Sequence, residues 1–171
     1  MRYSRIWILV IVLPMVLALY LPTTFTQDNL DDVVIAFTDE FLNIGDLDSI
    51  DDFYAPDAIH HNPMGELTVE LRKQVRAALG MAMPDFQVDI ENLSVDGNWV
   101  WVRYTFTGTF TGELPTPDGM IVLGNDAPIE MTILDLYHFN EDGRVIESWE
   151  TFDSLTLAAT MGLLPMPESE N

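Results

Sequence analysis

The hydrophobic period of this chain changes at Pro84, and that change decides what it can fold into. Before Pro84 apolar residues recur at helical spacing, and after it they alternate. The segment Leu30–Asn43 sets Leu30, Val33, Val34, Phe37 and Phe41 on one helical face and runs into Gly45, a stop. A short second helix is expected next, with Asp48 as its cap and Ile50, Phe53 and Tyr54 apolar. Ala58–His61 reads as a brief extended piece entering His61-Asn62-Pro63. A third helix over Val69–Met83 is expected to bury Val69, Leu71, Val75, Leu79 and Met83 and to carry Arg72, Lys73 and Arg76 outward.

Beyond Pro84, Phe86–Val95 and Trp99–Phe110 form strands joined at Asp96-Gly97, a hairpin signal. Glu113–Pro128 is rich in Pro, Gly and Asp and reads as a long loop. Glu130–Asn140 and Arg144–Thr151 are two further strands joined through Asp142-Gly143, and a last helix spans about Ser154–Met161. Helices followed by an antiparallel run give an α+β fold rather than alternating βαβ units. No phosphate-binding loop or dinucleotide fingerprint follows any strand.

Composition narrows the chemistry. The chain has no cysteine, which removes disulfides, thiolate catalysis and cysteine-based metal sites. Its 28 acidic residues against 7 basic ones make nucleic acid a poor partner, because phosphate binding needs Lys and Arg. Residues 1–26 begin with Arg2 and Arg5, run apolar over Ile6–Leu21 and exit through polar residues, the pattern of an export signal or an uncleaved N-terminal anchor. Residues 28–171 are expected to form one domain, exported and touching membrane only through that segment.

Histidine is scarce: His60, His61 and His138 are all there are. Strand parity sets His138 on one face with Leu134 and Leu136, and a two-residue turn at Asp142-Gly143 places it opposite Glu147. Parity from Glu147 continues to Trp149 and Thr151, with Asp153 at the strand's end. That set suits general acid/base work against an apolar wall. It equally suits a core histidine with a glutamate partner and an aspartate capping the last helix. Of His60 and His61, adjacent in an extended segment, at most one faces inward. There is no HExxH, the Asp46-x-Asp48 run fails as a calcium loop at Asp51 and Asp57, and no serine sits in a G-x-S-x-G elbow. No metal or cofactor is expected. Arg103 is expected to pair with an acid.

Several pieces in order are similar to the SnoaL-like polyketide cyclase family of the nuclear-transport-factor-2-like superfamily. They are His61-Asn62-Pro63, Met83-Pro84-Asp85-Phe86, Val102-Arg103-Tyr104, Thr107-Gly108-Thr109-Phe110-Thr111-Gly112 and Asp142-Gly143-Arg144-Val145-Ile146-Glu147-Ser148-Trp149 with Asp153. The resemblance implies a cone: a curved, mixed, mainly antiparallel sheet round an apolar pocket, closed by about three N-terminal helices. It further implies an intramolecular aldol closure without metal or cofactor, with Asp153 as acid/base and His138 orienting the substrate. His61 and Asn62 would polarise the substrate, and Tyr104, Phe106, Glu147 and Trp149 would complete its site. The partner would be a small apolar or carbonyl-containing molecule. Two other roles fit the same cone, a non-catalytic binder of an apolar molecule and a homodimer whose sheet face carries Trp99 and Trp101.

Overall fold

The structure is a computed structural model that describes residues 29–116 and 119–164. The expected export segment, residues 1–26, lies outside the described residues. No helix among the described residues is long and apolar enough to cross a membrane.

Helix α1 (Leu30–Phe37) buries Leu30, Val34 and Phe37 and continues as a widened π-helical stretch over Thr38–Ile44. Gly45 ends it with φ +83°, its N–H reaching Glu40 O at 3.0 Å. The positive φ favours glycine there, and a Cβ would lie 2.7 Å from Arg76 Nη2, so that side-chain end would have to shift. The next turn, Leu47–Ser49, is capped by Asp46 rather than Asp48, because Asp46 Oδ1 accepts from the Asp48 N–H at 3.2 Å. Helix α2 is short, Ile50–Phe53.

Strand β1 (Tyr54–Asn62) is longer than its sequence signal and turns at Pro63-Met64 into β2 (Gly65–Thr68), a strand the periodicity did not reveal. Helix α3 (Val69–Ala82) follows, capped by Thr68 Oγ1. Its buried stripe differs from the expected one: Arg72 and Arg76 are 7% and 8% exposed, whereas Leu71 faces solvent. The arginines turn inward because the interior offers them partners. Arg76 Nε donates to Phe41 O and Leu42 O, both at 2.9 Å, satisfying carbonyls at the end of the widened helix. Its guanidinium also lies 4.2 Å from the Phe86 ring centroid. Lys73 does point outward and pairs with Asp51 at 2.8 Å.

The remaining strands are β3 (Gln87–Asp96), β4 (Trp99–Phe110), the small pair β5 (Glu113–Pro115) and β6 (Ile121–Leu123), β7 (Ala127–Phe139) and β8 (Val145–Thr151). Helix α4 (Ser154–Thr160) ends the described fold. The loop expected over Glu113–Pro128 therefore contains its own hairpin. The main sheet runs β2-β1-β8-β7-β4-β3, antiparallel except between β1 and β8. This is the expected α+β class with a mixed, mainly antiparallel sheet.

The helices cover one face of that sheet. On this inner face β4 contributes Val100, Val102, Tyr104 and Phe106, and β7 contributes Asp135, Tyr137 and Phe139. Phe37 is the aromatic hub, stacked on Phe53 at 4.0 Å and on Phe41 at 5.1 Å, with Tyr54 and Tyr137 edge-on. Replacing Phe37 by Ala would remove these contacts and leave a cavity, and denaturant unfolding should record a loss of roughly 3–5 kcal/mol. A loss below about 1 kcal/mol would contradict the hub.

Candidate functional site

Between the inner sheet face, α3 and the widened end of α1 lies a cavity of about 140 Å³. Most of its wall is apolar, including Leu79, Met83, Phe86, Phe106, Met131 and Ile133. His60, Arg72, Asp135 and Glu150 also line it and give it a polar wall. Each arrives by a simple rule. Strand alternation turns His60 inward and His61 outward, and the same alternation turns Ser148 and Glu150 inward while Glu147 and Trp149 face out. Helix α3 delivers Arg72 from above.

One hydrogen-bonded chain organises the polar groups. Arg72 Nη1 donates to Tyr54 Oη and lies 3.2 Å from His60 Nδ1. Ser148 Oγ sits 2.9 Å from Tyr54 Oη and 2.8 Å from His60 Nδ1. With arginine able only to donate, His60 Nδ1 is the acceptor and the ring carries its proton on Nε2. That nitrogen faces Glu150 Oε2 at 3.8 Å, so the carboxylate meets the protonated side of the ring. Burial, then the Arg72 charge, pull His60 down to about 4, so it is neutral at pH 7.

Asp135 and Glu150 are direct cross-strand partners of β7 and β8, on the buried face. Two carboxylates so placed cannot both ionise cheaply. Burial first, and the Glu150 charge second, push Asp135 up to about 8. Burial acts on Glu150 in the same sense but is outweighed by His60 and Arg72, which hold Glu150 below its ordinary range. At neutral pH the pair is therefore one acid and one base. Tyr137 Oη donates to Asp135 Oδ2 at 2.5 Å, and Tyr104 Oη lies 3.3 Å from Tyr137 Oη.

The residues singled out from sequence divide into three places. Tyr104, Phe106 and Asn62 line the cavity. His138 does lie opposite Glu147 as the turn required, but on the outer sheet face. There it stacks on Trp99 at 4.0 Å, while His61 stacks on Trp149 at 5.4 Å and contacts Glu147 through Nε2 at 2.9 Å. Trp149 in turn lies 5.9 Å from Trp99. His61, His138, Glu147 and Trp149 thus form an outer-face cluster, separated from the cavity by the sheet itself. Asp153 is exposed at the start of α4, where its oxygens accept from Thr156 N at 2.9 Å and Thr156 Oγ1 at 2.8 Å. It borders a second pocket, of about 300 Å³, with Glu130 and Thr132, not the cavity that His60 and Asp135 line. Arg103 pairs with Glu91 at 3.7 Å. Among the described residues no three metal-ligating side chains converge.

The sequence profile of the SnoaL-like polyketide cyclases matches residues 32–161. The chain belongs to this family. The solved structures agree with that placement. A putative hydroxylase from Streptomyces galilaeus, AclR, superposes with a TM-score of 0.68 at 21% identity, covering 82% of this chain and 100% of its own. IdmH, a putative polyketide cyclase from Streptomyces antibioticus, matches at 25% identity and TM-score 0.62 over 78% of this chain and 98% of its own. A putative polyketide cyclase from Bacillus cereus matches at 26% identity and TM-score 0.65, over 80% of this chain and 82% of its own. Among curated proteins none matches the chain.

The cavity of this SnoaL-like domain has a consequence for stability. Asp135 keeps its proton up to about pH 8 in the folded state, against 3.8 for a free carboxyl, so the unfolded chain binds fewer protons over that window and stability falls as pH rises. His60 has the opposite effect between about 4 and 6.5, where the unfolded imidazole binds the proton and the folded one does not. The two oppose below pH 6.5, and above it only the Asp135 effect of the two remains. Unfolding free energy should drop by on the order of 2 kcal/mol between pH 6.5 and 8, at about 1.4 kcal/mol per unit. Asp135→Asn should flatten that slope in denaturant titrations, and an unchanged slope would contradict the assignment.

Proposed function

We propose that this SnoaL-like domain transfers protons on a small, largely apolar carbonyl compound, with Glu150 as the general base. The observation that carries the reading is the split pair: an ionised Glu150 directly across from a neutral Asp135, where an apolar cavity becomes polar. Divided carboxylate pairs of this kind supply an acid and a base in one site.

Glu150 takes a proton from the carbon alpha to a carbonyl, and the C–H electron pair moves onto the carbonyl oxygen as an enolate. The enolate carbon then forms a bond to a second carbonyl carbon of the same molecule, whose oxygen recovers the proton from Glu150. Return of the proton to a different carbon would give an isomer instead. IdmH and the Bacillus cereus protein, each described as a putative polyketide cyclase, lend this reading support at the level of reaction class. Cavity size sets the scale of the buried part: about 140 Å³ resembles the roughly 150 Å³ that accommodates one benzene ring. Asp153, expected to be the acid/base residue, has both oxygens committed to Thr156.

Cyclohexanone in deuterated water is a direct probe. The protein should catalyse exchange of its alpha hydrogens, Glu150→Gln should slow that exchange by roughly 10²–10⁴-fold, and Asp153→Asn should leave it within about threefold. Exchange that survives Glu150→Gln and is lost with Asp153→Asn would reverse the assignment.

The outer sheet face supports a second reading, that the domain pairs with a copy of itself. Trp101 is 55% and Leu134 45% exposed there, beside Trp99, Leu136 and Trp149, with Asp96, Arg103 and Glu147 at the margin. An apolar patch with a polar rim is the usual form of an interaction site. Sedimentation velocity should show a dimer that Trp101→Glu converts to monomer, and a wild-type monomer at every concentration would contradict it.

A further inference from the structure

Asp135 Oδ1 is the one buried side-chain oxygen or nitrogen left without a hydrogen-bond partner among the described residues. An orphaned buried polar atom costs on the order of 1–3 kcal/mol, so its retention asks for a reason. Its neighbours define its state. Thr38 Oγ1 donates to Val34 O at 2.8 Å, Tyr104 Oη lies 3.4 Å from that hydroxyl and 3.3 Å from Tyr137 Oη, and Tyr137 donates to Asp135 Oδ2. This relay brings a donated proton to Oδ2. A neutral Asp135 then carries its own proton on Oδ1, the oxygen that nothing in the protein accepts from. Glu150 stands across the strand pair, and both carboxylates line the cavity together with Arg72 and His60.

We propose that Asp135 is the electrophilic residue of the site, with Oδ1–H donating a hydrogen bond to the carbonyl oxygen of an uncharged ligand whose ring occupies the apolar part of the cavity. The proposal rests on the proton-transfer reading for its chemical purpose, since the oxygen held by Asp135 is the one that becomes the enolate oxygen. A donor already aimed at developing negative charge stabilises the transition state more than the ground state. Tyr137 and Tyr104 are positioning residues: they occupy Oδ2 and so keep the proton on the other oxygen. The ligand class follows as neutral carbonyl compounds, because an anion would meet the Glu150 charge in the same cavity.

Bound cyclohexanone tests this by infrared spectroscopy, through the carbonyl stretch of the isotope-labelled probe. In the wild type the stretch should move to lower wavenumber than in water-free apolar solvent, and affinity should be measurable by titration of that band. Asp135→Leu should abolish the shift and weaken binding roughly tenfold, the scale of one lost hydrogen bond in a buried site. Asp135→Asn, whose amide can accept from Tyr137 and donate from the other side, should keep most of the shift. Tyr137→Phe should reduce it without touching the probe, and this variant with Asp135→Asn carries the test should the leucine variant fail to fold. Glu150→Gln should leave the shift in place while removing hydrogen exchange, so the two readings fail separately. A stretch that is the same in wild type, Asp135→Leu and Tyr137→Phe would overturn the proposal and leave Oδ1 as a site for ordered water. Absence of saturable binding to the wild type would overturn it as well.

Discussion

Two carboxylates facing each other across a strand pair, on the side of the sheet that the helices cover, set the terms for everything around them. Asp135 is buried and Glu150 only partly exposed, so two charges there would be costly. The structure resolves the conflict by unequal surroundings: His60 and Arg72 outweigh burial at Glu150, whereas at Asp135 burial and the Glu150 charge outweigh Arg72 and the Tyr137 hydroxyl. One group stays an anion and the other a neutral acid. The cavity's chemistry follows from that division, because an acid and a base are poised side by side against an apolar wall.

Arg72 favours the charged form of both carboxylates, and its own burial needs support. Its guanidinium bonds to Tyr54 and His60 and lies 5.0 Å from the Tyr54 ring and 5.7 Å from that of Phe37. The same aromatic hub that holds α1 to α2 therefore also shelters the cation. Core packing and site electrostatics are linked through Phe37 and Tyr54, which belong to both. Arg76, one turn further along α3, fastens the same helix to the carbonyls at the widened end of α1.

Much of the sheet was legible in the sequence for local reasons. Asp96-Gly97 marks a hairpin whose strand β4 spans Trp99–Phe110 as read, and Asp142-Gly143 sets His138 against Glu147 as expected. That same register places Asp135 against Glu150, so the pair at the heart of the site could have been read. What misled was the choice of face. Residues 133–139 are apolar at both parities, with Ile133, Tyr137 and Phe139 on one side and Leu134 and Leu136 on the other. Parity alone cannot orient such a strand. The deciding signal lies on β4, where Val100, Val102, Tyr104 and Phe106 alternate with Trp99, Trp101, Arg103 and Thr105, but using it requires the non-local β4–β7 register. Arginines on α3 were hidden for a related reason. A charged side chain reads as solvent-facing until the distant groups that satisfy it, here Tyr54, His60 and the carbonyls of Phe41 and Leu42, are brought alongside.

The chemistry of the cavity turns on the protonation state of one side chain. Carbon-13 NMR of the aspartate carboxyls, titrated across pH and assigned to Asp135 by comparison with Asp135→Asn, reads that state directly. The structure predicts a carboxyl that stays protonated until about pH 8 and titrates at lower pH once Glu150→Gln removes the charge across the strand. An Asp135 signal already ionised at pH 5 in the wild type would contradict the division of roles from which the cavity's chemistry is derived.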